Sequence, residues 1–369
     1  MLELKRMVAR GMPAAKVVAE NADLADGIER RVEQWRQLTA AEWGMNAEIY
    51  DLLQTPGITD VLINGTDLWI DKGCGLVPFE WKITSTEESR DLARQMAAAA
   101  GKRLDDAAPI VDAFLGDNIR LHAVLPPLAK PGPLISLRIL RSVPYNLQDL
   151  TEAGTIVTPL PELMKHLVQK GITTLISGPT GSGKTTLLST LLSIVPKQQR
   201  IVCVEEVAEL KPDHPHVVHL QERQANVEGV GGIDLGELVR AALRMRPNWL
   251  VLGECRGAEI RDVLSALNTG HLGFTTIHAN GVEDVPARLT ALGSLAGLSE
   301  HAISAYSRAA IDCVLHMTRD TNGKRFLSEV GIMKQGKELQ CTPALIRRGH
   351  KMERGPGFED LCQRIKWQP

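Results

Sequence analysis

The sequence predicts an α/β chain in which a domain with a mostly parallel, helix-covered sheet follows a smaller α+β domain. Three observations predict it. Beyond residue 158, strand-like apolar runs alternate with helical patterns. The strands fall at Thr174 to Ser177, Ile201 to Glu205, Val217 to Leu220, Trp249 to Gly253 and Phe274 to His278; the helices fall at Gly183 to Ile194, Leu235 to Met245, Ala258 to Asn268 and Val282 to Leu295. Earlier, the runs Thr59 to Ile63, Leu68 to Asp71 and Leu76 to Phe79 are punctuated by Asn64-Gly65 and Gly73-Cys74-Gly75, as in an antiparallel meander. A length of 369 residues is enough for two cores.

Taken in order, residues 1–50 read as an N-terminal helical segment, with Val17, Val18, Leu24, Ile28 and Val32 at helical spacing. Residues 51–143 read as the α+β domain: the meander, a helix from Thr86 to Ala100 stopped by Gly101, then strands near Ile119 to Val124 and Leu134 to Ile139. Residues 144–158 contain Pro144, precede Pro159 and Pro161 and show little periodicity, so they read as a linker. Residues 159–345 read as the α/β domain, and 346–369 as a tail in which Phe358, Leu361, Cys362 and Ile365 have helical spacing. Packing of that tail on its own subunit is favoured over docking to a partner.

Composition sets bounds. Hydrophobic residues make up 44% and charged residues 23%, which argues against general disorder or a fibrous repeat. A net charge of −2 gives no global attraction to nucleic acid or to an anionic membrane. The six cysteines are scattered, without C-x-x-C pairs, so neither a disulfide framework nor a zinc site is expected. No apolar run reaches 18 residues and no signal-peptide h-region follows Lys5 and Arg6, so a cytoplasmic protein with no membrane span is expected.

The stretch Gly178-Pro179-Thr180-Gly181-Ser182-Gly183-Lys184-Thr185-Thr186 fits the phosphate-loop pattern G-x-x-x-x-G-K-[ST] and sits between a strand and a helix, as that loop requires. Its glycines let successive N–H groups turn inward, and the following helix adds its positive dipole end. Lys184 is placed to reach the β- and γ-phosphates of a nucleoside triphosphate, and the Thr185 hydroxyl to join a Mg²⁺ shell.

Trp249 to Gly253 ends in Glu254, the form of a Walker B element, and Glu254 is the first choice for the catalytic carboxylate and a metal ligand. A second acidic cluster, Glu205, Glu206 and Glu209, closes the strand at Ile201 and would lie beside the same phosphates, although a solvated charge run would look the same. His271 and His278 flank the run at Phe274; each is either a phosphate sensor or hydrogen-bonded structure, and spacing favours neither. Arg120, Arg138 and Arg223 are candidates for the positive charge that phosphoryl transfer needs, against the ordinary alternative of ion pairing.

These motifs together resemble the type II/type IV secretion ATPase superfamily. They are the phosphate loop, Glu205-Glu206-x-x-Glu209-Leu210, Arg223-x-x-Asn226-Val227-Glu228-Gly229, Gly253-Glu254-Cys255-Arg256-Gly257 and Asn268-Thr269-Gly270-His271 through His278-Ala279-Asn280. Within it the chain looks most like the tight-adherence (Tad/CpaF) pilus assembly ATPases, and Asp60-Val61-Leu62-Ile63-Asn64-Gly65 and Ser136-Leu137-Arg138 resemble their first domain. The resemblance implies a RecA-like P-loop ATPase domain and a homohexamer that binds ATP and Mg²⁺ between its two domains. It further implies a cytoplasmic position peripheral to the inner membrane, where the ring drives pilus assembly or secretion through membrane platform proteins.

By the same resemblance, residues 178–186 with Lys184 and Thr185 hold phosphate and metal, Glu254 is the Walker B glutamate, and Glu206 and Glu209 form the acidic box. His271 and His278 form the histidine box, Arg120 and Arg138 lean over the phosphates, and Arg223 is an interface arginine. Two departures stand out: Glu206 replaces the usual Asp, lengthening its reach by one methylene, and Phe114 stands where an arginine is common. A nucleic-acid translocase and a nucleotide-gated scaffold with little hydrolysis are the alternative functions, the first disfavoured by the charge.

Overall fold

The computed structural model describes residues 4, 7–8, 12, 14–21, 28–73, 75–81, 83–116, 118–140, 144–223, 225, 230–334, 336 and 338–368. Leu24, Cys74, Val143 and the Asn226-Val227-Glu228-Gly229 part of the arginine motif lie outside them. The chain forms two compact units, residues 1–142 and 143–369.

The first unit begins with helices α1 (Ala14–Asn21), α2 (Ile28–Glu42) and α3 (Ala47–Gln54). Strands β1 (Asp60–Asn64), β2 (Asp67–Asp71) and β3 (Leu76–Phe79) follow, then α4 (Thr86–Ala99) and strands β4 (Ile110–Leu115), β5 (Ile119–Val124) and β6 (Leu134–Ile139). Asn46 and Ser85 supply the side-chain oxygens that accept from the N–H groups of Ile49 and Glu88 and so start α3 and α4. The six strands form one sheet in the order β3-β2-β1-β6-β5-β4, antiparallel throughout. Strand alternation gives the sheet two faces. Val61, Ile63, Leu121 and Leu137 enter a core with Leu92 and Met96 of α4, while Asp60, Arg120 and Arg138, opposite one another in register, share the more open face. The sequence reading missed β4, an edge strand.

The second unit contains α5 (Leu147–Glu152), α6 (Leu160–Gln169), β7 (Thr174–Ser177), α7 (Lys184–Ser193), β8 (Ile201–Glu205) and β9 (Val217–Gln221). Next come α8 (Leu235–Ala242), β10 (Trp249–Leu252), α9 (Ile260–Asn268), β11 (Leu272–Ile277), α10 (Val285–Leu295) and α11 (Glu300–Ala310). It closes with β12 (Cys313–Arg319), β13 (Arg325–Met333), β14 (Cys341–Arg348), β15 (Lys351–Arg354) and α12 (Phe358–Ile365). Its nine-stranded sheet runs β15-β14-β13-β12-β7-β11-β10-β8-β9, parallel from β9 to β12 and antiparallel from β12 to β15. Helices cover both faces: Ile176, Cys203 and Val251 pack with α6 and α7, and Leu175, Val202 and Leu250 with α8, α9 and α10. Burial on both faces explains why β7, β8 and β10 read as continuous apolar runs.

The structure corrects three readings. The stretch read as a linker, 144–158, holds α5, started by a capping box between Asn146 and Asp149, and buries Leu147, Leu150 and Ile156 in the core. A single helical turn and a half between prolines shows no periodicity in sequence. The helix expected to reach Met245 stops at Ala242 and continues as a 3₁₀ turn, because Arg246 adopts φ 56° ahead of Pro247. The segment set apart as a tail packs on its own subunit, as favoured, but as part of the second unit: β15 extends the sheet, Phe358, Leu361, Ile365 and Trp367 are buried in its core, and the Ile365 carbonyl accepts from His166 Nε2 at 2.7 Å.

Midway along β12 a bulge falls between His316 and Met317, and the Met317 carbonyl lies against Gly178 of the phosphate loop. His316 is buried, its Nδ1 lies 2.9 Å from Ser177 Oγ, and its ring also meets the Asn280 carbonyl. Glu329 on β13, paired in register with His316, accepts from the Val282 N–H at 3.0 Å. One residue therefore ties the last residue of β7 to the loop that follows His278.

Leu361→Ala should cost about 2–5 kcal/mol of unfolding free energy in urea, as for a buried leucine, whereas a tail merely lying on the surface would change it by less than about 0.5 kcal/mol. Burial, helped by the Lys184 charge and opposed by Glu329, Asp284 and the Asn280 carbonyl, holds the His316 pKa below 6.5. The unfolded chain thus binds a proton that the folded chain refuses, and this contribution, complete above pH 6.5, is lost as pH falls below it. Urea midpoints should drop between pH 7 and 5, more shallowly in His316→Gln; equal slopes in the two proteins would assign the effect elsewhere.

Candidate nucleotide site

The site starts where β7, buried along its length, delivers the chain to Gly178. A Cβ on Gly178 would stand 2.2 Å from the Met317 carbonyl oxygen, so the loop lies against β12 too closely for any side chain. Gly183, with φ 95°, is the N-cap of α7 and gives that helix no side-chain cap. The first-turn N–H groups of α7 are thereby left for an anion. Ser182 Oγ points the same way: it is buried and has no hydrogen-bond partner among the described residues. An unsatisfied buried hydroxyl beside uncapped N–H groups fits a phosphate.

Lys184 is buried and donates from Nζ to the carbonyls of Gly178, at 2.9 Å, and Pro179, at 3.1 Å. His278 Nδ1 lies 3.4 Å from the same nitrogen. Burial lowers the Lys184 pKa, aided by the charge of Arg256 and resisted by Glu254. The lysine is folded back on the carbonyls of its own loop, and phosphate oxygens are better partners for an ammonium than two carbonyls.

Glu254 follows β10 by two residues. The turn carrying it is fixed by the Thr276 hydroxyl, which donates to the Gly253 carbonyl at 2.8 Å, and by the Cys255 N–H, which donates to the Thr276 carbonyl at 2.8 Å. Both carboxylate oxygens are engaged: Oε1 by Nε2 of His278, Oε2 by Nη2 of Arg256 at 2.8 Å. Burial works against charge on Glu254, but the hydrogen bond and charge of Arg256, with His278 and Lys184, outweigh it and hold the carboxyl below its ordinary value. His278 is pushed down by burial and by Lys184, against Glu254, and so is kept neutral. An ionised Glu254 beside a neutral imidazole can hold a cation or orient a water.

The acidic cluster divides its roles. Glu205, read with its neighbours as one charge run, is buried; its Oε1 accepts from the N–H groups of Glu209, at 3.0 Å, and Leu210, at 2.9 Å, and its Oε2 lies 3.3 Å from His219 Nδ1. It shapes the turn. Glu206 instead receives Arg256 Nη1 at 2.9 Å, and Glu209, half-buried on the same turn, contributes charge near Arg256. Thr185 and Thr186 are half-buried in the first turn of α7. Beside them a small pocket of about 90 Å³ is lined by Tyr145, Leu150, Thr155, Thr186, Met317 and Arg325. No group of three acidic, histidine or cysteine ligands suited to a metal occurs among the described residues. A Mg²⁺ held by one carboxylate, one hydroxyl and phosphate oxygens would need no such group.

Other expected residues stand apart. His271, expected with His278 at the phosphates, lies at the amino end of β11 while His278 lies at its carboxyl end. Seven residues of strand at about 3.3 Å each put them roughly 20 Å apart, so the two do not serve one site within a chain. His271 Nδ1 is 3.3 Å from the Thr269 hydroxyl and the Ala266 carbonyl. Arg223 is exposed beyond edge strand β9, bridged to Ile233, and donates from Nε to the Gly231 carbonyl at 2.6 Å. In the first unit, Arg138 pairs with Asp60 at 2.9 Å, and Arg120 lies 3.7 Å from Asp112 and opposite Phe114. Sequence reasoning missed Arg256 and His316 as site residues. Arg256 was visible inside Gly253-Glu254-Cys255-Arg256-Gly257, but its partners depend on β8 lying beside β10.

Residues 46–344 match the family described as type II/IV secretion system protein. A Mycobacterium tuberculosis protein (strain H37Rv) named for conjugal transfer is 47% identical over 294 residues, covering 78% of this chain and 84% of that protein. The type IV secretion system protein VirB11 of Brucella suis is 28% identical over 258 residues, 63% of this chain and 72% of VirB11. Among solved structures, the Legionella pneumophila ATPase DotB aligns at TM-score 0.54 with 19% identity, over 85% of this chain and 84% of DotB. The pilus retraction motor PilT with bound ADP aligns at 0.55 with 18% identity, over 86% of this chain and 85% of PilT. The two structures share the fold, an N-terminal domain followed by a RecA-like ATPase domain. With four-fifths of its length matched and its phosphate loop and Walker B strand in place, the chain belongs to the type II/IV secretion system ATPase superfamily.

Proposed function

We propose that the chain is an ATP-hydrolysing motor of the tight-adherence kind that powers pilus assembly or secretion as a homohexamer, from the cytoplasmic face of the inner membrane and through platform proteins there. The observation that carries this reading is the convergence of Lys184, the unpartnered Ser182 hydroxyl and Glu254, with His278 between them, at the carboxyl ends of β7, β10 and β11. No helix among the described residues is long and apolar enough to cross a membrane.

Bound Mg²⁺–ATP supplies the γ-phosphoryl group and the cation that neutralises it. The chain's own residues do the rest. The uncapped first turn of α7, with residues 178–183, receives the phosphates; Lys184 leaves the Gly178 and Pro179 carbonyls for them; Thr185 and Glu254 hold the cation. Glu254, kept ionised, also orients the attacking water, and neutral His278 registers the γ-phosphate. The pocket beside Thr186 takes the base, its apolar wall of Leu150 and Met317 against the ring face. Arg120 and Arg138 of the first domain and Arg223 of a neighbouring subunit complete the charge around the phosphates, on this reading after releasing Asp112, Asp60 and the Gly231 carbonyl. The 47%-identical relative named for conjugal transfer keeps a nucleic-acid translocase as the second reading, against the chain's slight negative charge.

Lys184→Ala should abolish nucleotide binding. Glu254→Gln should retain binding and lose phosphate release by at least about 100-fold, assayed at protein concentrations at which light scattering gives the mass of a hexamer. Full hydrolysis by Glu254→Gln would remove that residue from catalysis, and stimulation of the wild type by DNA with steep salt dependence would favour the translocase.

A further inference from the structure

Arg256 occupies a position that the phosphate-binding reading leaves unused. Its backbone is anchored by its own N–H, which donates to Glu259 Oε1 at 2.6 Å, while about half of its side chain is exposed, 53%. The guanidinium forks between two carboxylates on neighbouring strands: Nη2 to Glu254 at 2.8 Å and Nη1 to Glu206 at 2.9 Å. Glu254 and Glu206 would otherwise face each other as like charges at the ends of β10 and β8. The same guanidinium stands close enough to Lys184 and His278 to oppose positive charge on each.

We propose that Arg256 is an internal counter-cation that holds Glu254 and Glu206 together in the resting site and must give up Glu254 when a divalent cation enters with nucleotide. The inference rests on the nucleotide reading above. A divalent cation and a guanidinium cannot keep the same carboxylate oxygen, because the two positive groups would meet within a few ångströms in a partly desolvated site. The exposed side chain can withdraw; the fixed backbone limits how far it goes. Glu206 is where it stays, since one arm of the fork already rests there. Glu206 also begins the turn that Glu205 shapes, so withdrawal of Arg256 from Glu254 shifts load onto residues 206–210 and carries the state of the phosphate site to the edge of the sheet. Arg256 is in this scheme a positioning residue that competes with the metal. It does not act on the phosphates.

The full chain and its Arg256→Gln and Arg256→Lys variants can be titrated with MgCl₂ at a fixed low concentration of a methylanthraniloyl ATP analogue, reading bound analogue by fluorescence anisotropy. The one partly exposed ion pair that is given up, worth a few-fold, predicts that Arg256→Gln lowers the Mg²⁺ concentration for half-maximal binding by about threefold to fivefold. Arg256→Lys, which keeps the charge but loses the fork, should fall between. An unchanged or higher Mg²⁺ requirement in Arg256→Gln overturns the inference and leaves the nucleotide reading standing. Absence of binding in the wild type at any Mg²⁺ concentration overturns both. Should Arg256→Gln have a lowered urea midpoint, Arg256→Lys alone decides: a Mg²⁺ requirement equal to that of the wild type or above it overturns the inference.

Discussion

Everything at the site depends on the order of five parallel strands. Because β10 lies between β8 and β11, and β7 between β11 and β12, the carboxyl ends of β8, β10, β11 and β7 deliver Glu206, Glu254, His278 and the phosphate loop to one edge of the sheet, with His316 of β12 paired beside Ser177 at the end of β7. The ladder hydrogen bonds that hold this order are buried on both faces. A slip of one register would move every one of these residues to the wrong face or the wrong depth. Packing of α7 on one side and α9 and α10 on the other, around residues such as Leu187, Val251 and Leu264, makes such a slip prohibitive.

On that frame the site is an electrostatic arrangement with few spare partners. Lys184 and Arg256 supply positive charge, Glu254 and Glu206 negative, and His278 stands between the two signs as a neutral ring. Each of these lies in ion-pair or hydrogen-bond contact with another member of the group, whereas the Ser182 hydroxyl and the uncapped start of α7 do not. Both can donate, the chemistry that suits an anion. A phosphate would complete it and would also free Lys184 from two carbonyls that are weak partners for a full positive charge.

The first unit is built on a different principle. Its antiparallel sheet buries one face against α4 and leaves the other with Asp60, Asp112, Arg120, His122 and Arg138, paired among themselves at the surface. Ion pairs of this exposure contribute little to stability and can be exchanged at small cost. An arginine held that way is available to another ligand, which is what the proposed role of Arg120 and Arg138 asks of it.

Much of this was legible in the chain itself. The spacing of Gly178, Gly183, Lys184 and Thr185 announces a phosphate loop because backbone curvature and one lysine's reach are local matters, and Trp249 to Glu254 announces a buried strand ending in an acid for the same reason. The β-meander showed in its alternation and its glycine turns. Other features were decided only in three dimensions. Leu147, Leu150 and Ile156 looked like linker because a short helix has no period to display, and the core that buries them is formed by residues far along the chain, Phe358 and Leu361 among them. His271 and His278 were joined in one box by the family resemblance, yet within the chain an extended strand holds them at opposite ends of β11. Arg256 stood inside a motif that gave it no role and His316 in none, since their roles come from the neighbours that strand order assigns: Glu206 for one, Ser177 and the Asn280 loop for the other. The sequence by itself determined which groups could bind phosphate, because that chemistry lies within one loop; only the tertiary structure decided which charges face one another, because ion pairs across strands depend on topology and not on distance along the chain.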